Sequence, residues 1–252
     1  MKIGDSHIFP PGFRRALRFY MTNPSPCPYL DGQKERKAFT NLDISEADNV
    51  HDMLSKTGFR RSQAIAYRPA CPSCNACRSV RVNVRDFVQT KQWRRVHTRN
   101  NDLVRTAVPA EASREQFRLL KRYLLSRHEG AGMSEMTYRD YASMVNQSPV
   151  QSLVFEYRHS EEADAPLAAV SITDVLRDGF SMVYTFFDSD DTRRSLGTYM
   201  ILDHIEHARE RGLPHVYLGY WIKGSSKMDY KRRFMPLDVL DGDNWRPLTD
   251  KD

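Results

Sequence analysis

The chain has 252 residues, of which 40% are hydrophobic and 28% charged, the balance of a globular protein with one large domain or two small ones. Its apolar runs are far shorter than the roughly 20 residues of a membrane-spanning helix, and no secretion signal is visible at its start. We therefore expect a cytoplasmic protein without a membrane partner, and the net charge of +6 favours an anionic partner where the basic residues cluster.

The first half of the chain predicts short strands and one helix. In chain order, the predicted elements are an extended arm over 1–26, a strand over 37–41, a helix from Ser45 to Gly58, and strands over 59–68 and 80–87. A cysteine-bearing segment separates the last two strands. We expect a domain boundary near residue 95, which divides the chain into a smaller α/β domain over 1–95 and a second domain over 96–252.

The second half of the chain has a more regular pattern. Its predicted elements are a strand over 103–108, helices over 113–127 and 137–147, strands over 150–157, 167–175 and 180–187, a helix over 198–211, a strand over 216–222 and a short helix over 225–233. This order, β-α-α-β-β-β-α-β-α, resembles the N-acetyltransferase-like fold known as GNAT. The sequence thus predicts an α/β (α+β) protein with a GNAT-like acyltransferase fold in its C-terminal part.

A basic segment over 85–105 lies near the expected boundary. It carries six Lys and Arg residues against two Asp residues, and Trp93 and His97 lie among them. Basic side chains attract phosphate, and interspersed aromatic rings can stack on unpaired bases, so the segment is a candidate contact for RNA. The alternative is one solvated face of a strand.

The turn over 194–199 reads Arg-Ser-Leu-Gly-Thr-Tyr and precedes a predicted helix. In the GNAT-like fold this helix start holds the pyrophosphate of the acyl donor, and its pattern has a small residue in the last of these positions. Here that position is Tyr199, whose ring is expected to narrow the site and to disfavour coenzyme A. A larger donor such as an aminoacyl-tRNA becomes the better candidate, while Ser195 alone also fits an N-cap.

The chain contains four cysteines, and three of them have the spacing C-x2-C-x2-C. They are Cys27, Cys71, Cys74 and Cys77. This spacing favours metal binding over disulfides, with an iron–sulfur cluster as the first hypothesis and zinc as the second. Four thiolates would leave no open position, so such a metal would be structural or redox-sensing. The alternative is four reduced thiols in a buried turn.

Several segments together resemble the bacterial aspartate/glutamate leucyltransferases, which are relatives of the arginyl-tRNA–protein transferases. They are 27–30, 59–62, the triple-cysteine segment with Arg81, 195–197, and the Lys-Met-Asp-Tyr-Lys segment at 227–231. The resemblance implies transfer of leucine from leucyl-tRNA to the α-amine of proteins that begin with Asp or Glu, which marks them for the N-degron pathway. It implies no cofactor for the chemistry and no DNA partner, and it assigns acceptor recognition to 1–95 and catalysis to 96–252.

The reaction is aminolysis of an activated ester, so the enzyme must position the two reactants and handle one proton. Asp188 ends a predicted strand and is the first candidate to orient or deprotonate the amine, with Tyr184 on the same strand face. His128 is a weaker candidate for the base. The alternatives are a turn residue for Asp188, core packing for Tyr184 and a helix-end residue for His128.

The remaining predicted site residues divide into two groups. The substrate-binding candidates are Arg60, Arg61, Arg78, Arg81, Ser195, Gly197, Tyr220, Lys227 and Tyr230. The tRNA-binding candidates are Arg193, Arg194, Lys227, Lys231 and Arg232. Arginine is preferred for the acidic acceptor because its fork holds a carboxylate with two hydrogen bonds.

Two other functions remain open from the sequence. The first is an N-acetyltransferase that uses acetyl-CoA, and the second is a non-catalytic protein that binds acidic N-termini. The sequence also leaves leucine, arginine and phenylalanine open as the transferred residue.

Overall fold

The computed structural model describes residues 17–127, 135–162 and 164–252. Most of the predicted N-terminal arm and His128 lie outside these ranges. None of the helices in the described ranges is long and apolar enough to cross a membrane.

The first half of the chain forms a small sheet, a two-stranded hairpin and one helix. The elements are β1 (Tyr20–Met21), β2 (Ser25–Pro26), β3 (Lys34–Glu35), β4 (Lys37–Asn41), α1 (Ala47–Lys56), β5 (Arg60–Ser62) and β6 (Ile65–Pro69). The small sheet has the order β1-β4-β6-β5. The strand predicted over 59–68 is two strands, because the chain reverses at Gln63, whose φ is +52°. Leu42, Val50 and Leu54 are buried between α1 and this sheet.

The second half contains the large sheet and four helices. Its elements are β7 (Arg78–Asn83), α2 (Lys91–Thr98), β8 (Val104–Pro109), α3 (Arg114–Arg127), α4 (Tyr138–Asn146), β9 (Ser152–Arg158), β10 (Leu167–Leu176), β11 (Gly179–Phe187), α5 (Leu196–Glu210), β12 (His215–Trp221), β13 (Leu237–Asp241) and β14 (Asn244–Pro247). From β8 onward the predicted order is confirmed, with a 3₁₀ turn over Asp229–Arg233 in place of the last helix. Strands β13 and β14 were not predicted.

Within the described residues, the large sheet has eight strands in the order β14-β13-β7-β12-β11-β10-β9-β8. Strand β7 comes from before residue 95, yet it pairs with both β12 and β13. The expected boundary thus falls between strands of one sheet, and the division into two domains stays a prediction.

Strands β11 and β12 are parallel neighbours for only a short distance. They pair over three positions, from Gly179 with His215 to Ser181 with Tyr217. Beyond these positions β11 continues beside β10 to Phe187, and β12 continues beside β7 to Trp221. The two strands therefore separate toward their carboxyl ends and leave an opening in the middle of the sheet.

The basic segment is largely the helix α2, and the prediction of aromatic rings available for base stacking is wrong. Trp93 is 3% exposed and stacks on Phe234 with 5.0 Å between ring centroids, while the ring of His97 meets the edge of Tyr199. Apolar residues at a spacing of three, Trp93 and Val96, attach the helix to the core. The arginines of α2 remain on the outside.

A buried charge cluster attaches α1 and β5 to the large sheet. Asp174 on β10 accepts hydrogen bonds from Arg61 Nη2 at 2.6 Å, Arg61 Nε at 2.7 Å and Ser152 Oγ at 2.7 Å. His51 Nε2 lies 2.9 Å from the same carboxylate. Because the side chain of Arg61 is 1% exposed and fully engaged, Arg61 is not available to bind an acceptor.

Candidate functional site

The start of α5 borders a cleft of about 440 Å³, and among the described residues its charged lining side chains are all arginines. The lining residues are Gln92, Arg95, Val96, Arg99, Ser195, Thr198 and Arg233. The sequence reasoning identified Ser195 but missed Arg95, Arg99 and Arg233 as members of this site. The spacing of Trp93 and Val96 was the available signal, because burying both on a helix places Arg95 and Arg99 together on the outer face.

Side chains from the end of α2 fix the loop before α5. Asn100, which is fully buried, donates from Nδ2 to the carbonyl of Arg194 at 2.9 Å, and Arg99 donates from Nη1 to the carbonyl of Arg193 at 3.1 Å. Ser195 occupies the N-cap position with φ +55° and makes no capping hydrogen bond with its side chain. The positive end of the helix and three guanidinium groups thus face one cleft, an arrangement that favours a phosphate.

The two predicted tRNA contacts before α5 differ in their surroundings. Arg194 forms a two-pronged ion pair with Asp102, with both distances at 2.8 Å. The side chain of Arg193 is 92% exposed. Arg193 is therefore the one of the pair whose guanidinium is open to solvent.

Tyr199 lies on the core side of α5, away from the cleft. It is 6% exposed, and its ring packs against the rings of His97 and Tyr157 at 5.6 and 5.7 Å. The expectation that this ring narrows a pyrophosphate site is wrong, because a helix position on the buried face cannot also line the cleft. A coenzyme A donor is not disfavoured by Tyr199.

Gly197 lies on the same first turn of α5. A Cβ at this position would approach Phe187 of β11 to 3.1 Å, so the glycine permits close packing of α5 on the strand. Its predicted contact with substrate stays a prediction.

Arg60 reaches into the opening between β11 and β12. Its Nη2 donates to the carbonyls of Met182 at 2.6 Å and Val183 at 3.3 Å, both on β11. Its other side lies directly against Gly219 of β12. Next to Gly219, the hydroxyl of Tyr220 donates to the carbonyls of Gly58 and Tyr67, at 3.1 and 3.0 Å. The guanidinium of Arg60 thus occupies the place where two parallel strands would otherwise pair.

Replacing Gly219 with alanine should displace this guanidinium. Gly219 has φ +75°, a conformation that alanine adopts at a cost of about 1–3 kcal/mol, and an added methyl group would overlap Arg60. We expect a lower unfolding midpoint and a several-fold loss of transfer activity, measured by urea denaturation and a peptide assay. Gly242→Ala is the control, since Gly242 has φ +60° and no atom within 4 Å of the added group. Equal effects of the two substitutions on activity would contradict the role of Gly219.

Lys231 is buried beside the same opening, with 6% of its surface exposed. Its Nζ donates to the carbonyl of Tyr220, and the sulfur of Met228 is 3.3 Å away. Burial lowers the pKa of Lys231 to about 7, and the charge of Arg60 acts in the same direction while Cys77 opposes it. Lys231 therefore does not lie on a surface that tRNA can contact, contrary to the sequence-based expectation.

The other predicted substrate arginines are already paired with acids. Arg78 donates to Asp252 at 2.5 Å. Arg81 donates to Asp238 at 3.2 Å and lies over the ring of Trp245 at 4.3 Å. An acceptor carboxylate would have to displace these partners, so neither residue is a favoured acceptor site.

The remaining basic and aromatic candidates lie around the 3₁₀ turn after β12. Lys227 is exposed, and Tyr230 is 43% exposed. Arg232 pairs with Asp250 at 2.5 Å. Their assigned contacts with substrate or tRNA stay predictions.

Tyr184 lies on β11, and Asp188 directly follows the strand four residues later, where the alternation predicts the same face. Burial raises the pKa of Tyr184 above its ordinary value, and Tyr123 acts in the same direction. The carboxylate of Asp188 accepts from the amide of Asp190 at 3.0 Å and lies 3.7 Å from Arg122. Asp188 also borders a second cleft, of about 610 Å³, beside α3.

All four cysteines are free thiols and half-buried. Burial raises the pKa of Cys77 to about 11, and Cys27, Cys71 and Cys74 all act in the same direction. Across the described ranges, no group of three or more His, Cys, Asp or Glu residues has the geometry to hold a metal ion. The thiols as placed therefore do not form a preorganised metal centre.

Comparison with known proteins adds family relationships to this geometry. Residues 25–95 match the sequence model described as arginine-tRNA-protein transferase, N terminus, and residues 115–241 match its C-terminal counterpart. The chain is 66% identical to the aspartate/glutamate leucyltransferase of Hyphomonas neptunium, with 99% of both chains covered. It is 52% identical to that of Sinorhizobium medicae, with 92% of this chain and 96% of the relative covered.

Among solved structures, L-PGS from Bacillus licheniformis is similar with a TM-score of 0.45 and 12% identity, over 68% of this chain and 58% of that one.

Proposed function

The chain belongs to the arginine-tRNA-protein transferase family, and on that premise we propose that it transfers leucine from leucyl-tRNA to the α-amine of proteins that begin with Asp or Glu. The observation that carries the proposal is the 66% identity, over 99% of both chains, with an aspartate/glutamate leucyltransferase. The product is a protein with a new N-terminal leucine, which marks it for degradation. We place the reaction in the cytoplasm, where charged tRNA is available.

The chemistry requires no external energy source because the leucyl ester is already activated. The neutral α-amine attacks the ester carbonyl, an amide bond forms, the bond to the ribose oxygen breaks, and that oxygen takes up a proton as the amine loses one. The ordinary pKa of an α-amine is about 7.7–8.0, so a useful fraction is neutral near pH 7. The main task of the protein is then to hold two reactants in register.

The arginine cleft at the start of α5 supports the tRNA part of this proposal. Arg95, Arg99 and Arg233 line it together with the first turn of a helix, and no acidic side chain is among its lining residues. Phosphodiesters of the tRNA acceptor end have the matching charge and geometry. The exposed Arg193 and Lys227 extend the positive surface around the 3₁₀ turn and the loop before α5.

Asp188 and Tyr184 are proposed for the chemical step. Asp188 directly follows β11, and its side chain is 37% exposed, so it can receive a proton from the amine. Tyr184 is half-buried, and its raised pKa keeps the hydroxyl protonated, which suits a hydrogen-bond donor.

A metal on the cysteines is a separate hypothesis. Four thiols provide soft ligands of the kind that iron–sulfur clusters and zinc prefer, but the raised pKa of Cys77 means that binding must displace a proton there. No step of the proposed aminolysis needs such a group.

The decisive assay incubates the protein with a Glu-starting peptide and separately charged leucyl-, arginyl- and phenylalanyl-tRNA, and weighs the product by mass spectrometry. We expect a mass increase of one leucine residue with leucyl-tRNA. A parallel reaction with acetyl-CoA tests the acetyltransferase alternative, which would add an acetyl group. Binding of the peptide without any new bond would support the non-catalytic alternative instead.

A further inference from the structure

Two cationic side chains meet at the opening between β11 and β12. Arg60 lies against Gly219, and Lys231 donates to the carbonyl of the next residue, Tyr220, so both cations contact consecutive positions of one strand. They are close enough that the charge of Arg60 lowers the pKa of Lys231. Burial acts in the same direction on that pKa, as expected for a cation held away from water.

Neither cation has an acidic partner within the described part of the chain. The acceptors of Arg60 are the carbonyls of Met182 and Val183, and those of Lys231 are one carbonyl and the sulfur of Met228. Buried or half-buried charges are normally paired, because an unpaired charge loses hydration without compensation. The nearby Arg61, Arg78 and Arg81 follow that rule, which makes this pair the exception.

The hydrogen-bonding capacity of Arg60 is only partly used. Both of its hydrogen bonds come from Nη2, and within the described residues Nε and Nη1 donate to no protein atom. A carboxylate between Arg60 and Lys231 would supply the missing counter-charge.

We propose that Arg60 and Lys231 form the site that binds the side-chain carboxylate of the acceptor's first residue. The inference rests on the proposed function and names the part of the molecule that selects Asp and Glu. Arg60 is half-buried, whereas Lys231 is buried, with 6% of its surface exposed. The preference for acidic N-termini then comes from two cations that have no acidic partner among the residues described by the structure.

A carboxylate fits this site better than the other anion in the reaction. A phosphodiester of RNA is flanked by two sugars, and a backbone of that width does not suit an ammonium that is 6% exposed. The side chain of an N-terminal Asp or Glu ends in a small planar carboxylate, which does suit this ammonium. The arginine cleft at α5 also gives the RNA phosphates a separate, more open site.

The test compares two peptides that differ only in charge, one starting with Glu and one with Gln. For the wild-type protein we expect a strong preference for Glu in kcat/KM. Lys231→Met and Arg60→Gln should each lower kcat/KM for the Glu peptide by about 10–100-fold and change the Gln peptide far less, so the preference collapses. Lys223→Met and Arg68→Gln are the matched controls, and they should keep the wild-type preference.

The outcome that overturns the proposal is an equal loss for both peptides, which would assign the two residues to the fold or to the transition state. Failure of the wild-type protein to transfer leucine to either peptide would instead count against the proposed function. The unfolding midpoint and the affinity for leucyl-tRNA of each variant show whether it is folded.

If a variant does not fold, a measurement on the wild-type protein still tests the proposal. A carboxylate beside Lys231 favours its ammonium form, so binding of the Glu peptide near pH 7 should take up protons, measured by calorimetry in buffers of different ionisation enthalpy. The groups that act on Lys231 are Arg60 and Cys77. The Gln peptide has the same α-amine, so equal proton uptake by both peptides would refute the site without any reference to catalysis.

Discussion

Replacing Arg61 with methionine should destabilise the folded protein by about 3–5 kcal/mol, the cost of leaving a buried charge without its partner. Asp174 is fully buried, and Arg61 supplies two of its hydrogen bonds. Methionine preserves much of the side-chain volume, so the loss reports the charge rather than a cavity. Urea denaturation followed by circular dichroism measures the change in the free energy of unfolding.

A surface pair provides the control for this experiment. Arg232 and Asp250 form an ion pair at 2.5 Å in which the side chain of Asp250 is fully exposed. Exposed pairs contribute about 0–1 kcal/mol, so Arg232→Met should barely move the denaturation midpoint. Equal effects of the two substitutions would show that the cluster at Asp174 does not hold α1 and β5 to the sheet.

The same cluster makes stability depend on pH in a predictable direction. Burial alone would raise the pKa of Asp174, but Arg61 and the hydrogen bonds from His51 and Arg61 outweigh it and hold the pKa below its ordinary value. Because the pKa is lower in the folded state, the stabilisation is complete above the unfolded value of about 3.9 and is lost as the pH falls below it. In the Arg61→Met variant, the loss of folding stability that comes from protonating Asp174 at low pH should be smaller.

Most helices and strands of the second half could be predicted because their signals lie in neighbouring residues of the chain. The helix after Thr137 begins with a capping box, in which Thr137 Oγ1 accepts from the amide of Asp140 at 3.2 Å and the Asp140 carboxylate accepts from the amide of Thr137 at 2.8 Å. Such a signal depends on neighbours in the chain and is visible without the fold. The strands that failed to appear in the prediction, β13 and β14, depend on long-range pairing, because β13 pairs with β7, which is distant in sequence, and β14 pairs with β13.

The site was harder to predict because its contacts are not local. Nothing near Arg60 in the sequence indicates that its guanidinium reaches the carbonyls of Met182 and Val183, and the basic character of Lys231 gave no hint of its burial. Tyr199 was misinterpreted from a motif alone. The helical spacing of Leu196, Tyr199 and Asp203, all of which are buried, would have placed its ring in the core.

Removing Arg95 of α2 and Arg99, which directly follows that helix, should weaken binding of leucyl-tRNA by about 100-fold in the Arg95→Ala, Arg99→Ala double variant, with roughly tenfold for each. A phosphate that loses a guanidinium loses both an ion pair and the accompanying counterion release. The slope of log affinity against log salt concentration should therefore fall by about 0.7 for each contact made to single-stranded RNA. Fluorescence anisotropy with labelled leucyl-tRNA at several salt concentrations measures both quantities.

Arg94→Ala provides the matched control because Arg94 is an exposed arginine on the same helix that lies outside the cleft lining and donates to the carbonyl of Gln89 at 2.9 Å. If the surface merely attracted RNA by its net charge, Arg94 would matter as much as Arg95 or Arg99, and the three single variants would lose affinity equally. A specific phosphate site instead requires that Arg94→Ala barely change the affinity for leucyl-tRNA, while Arg95→Ala and Arg99→Ala each lower it. Arg94 and Arg95 are exposed, so their loss should leave stability unchanged, whereas Arg99 also donates to the carbonyl of Arg193. The unfolding midpoint of each variant therefore separates a loss of binding from a loss of folding.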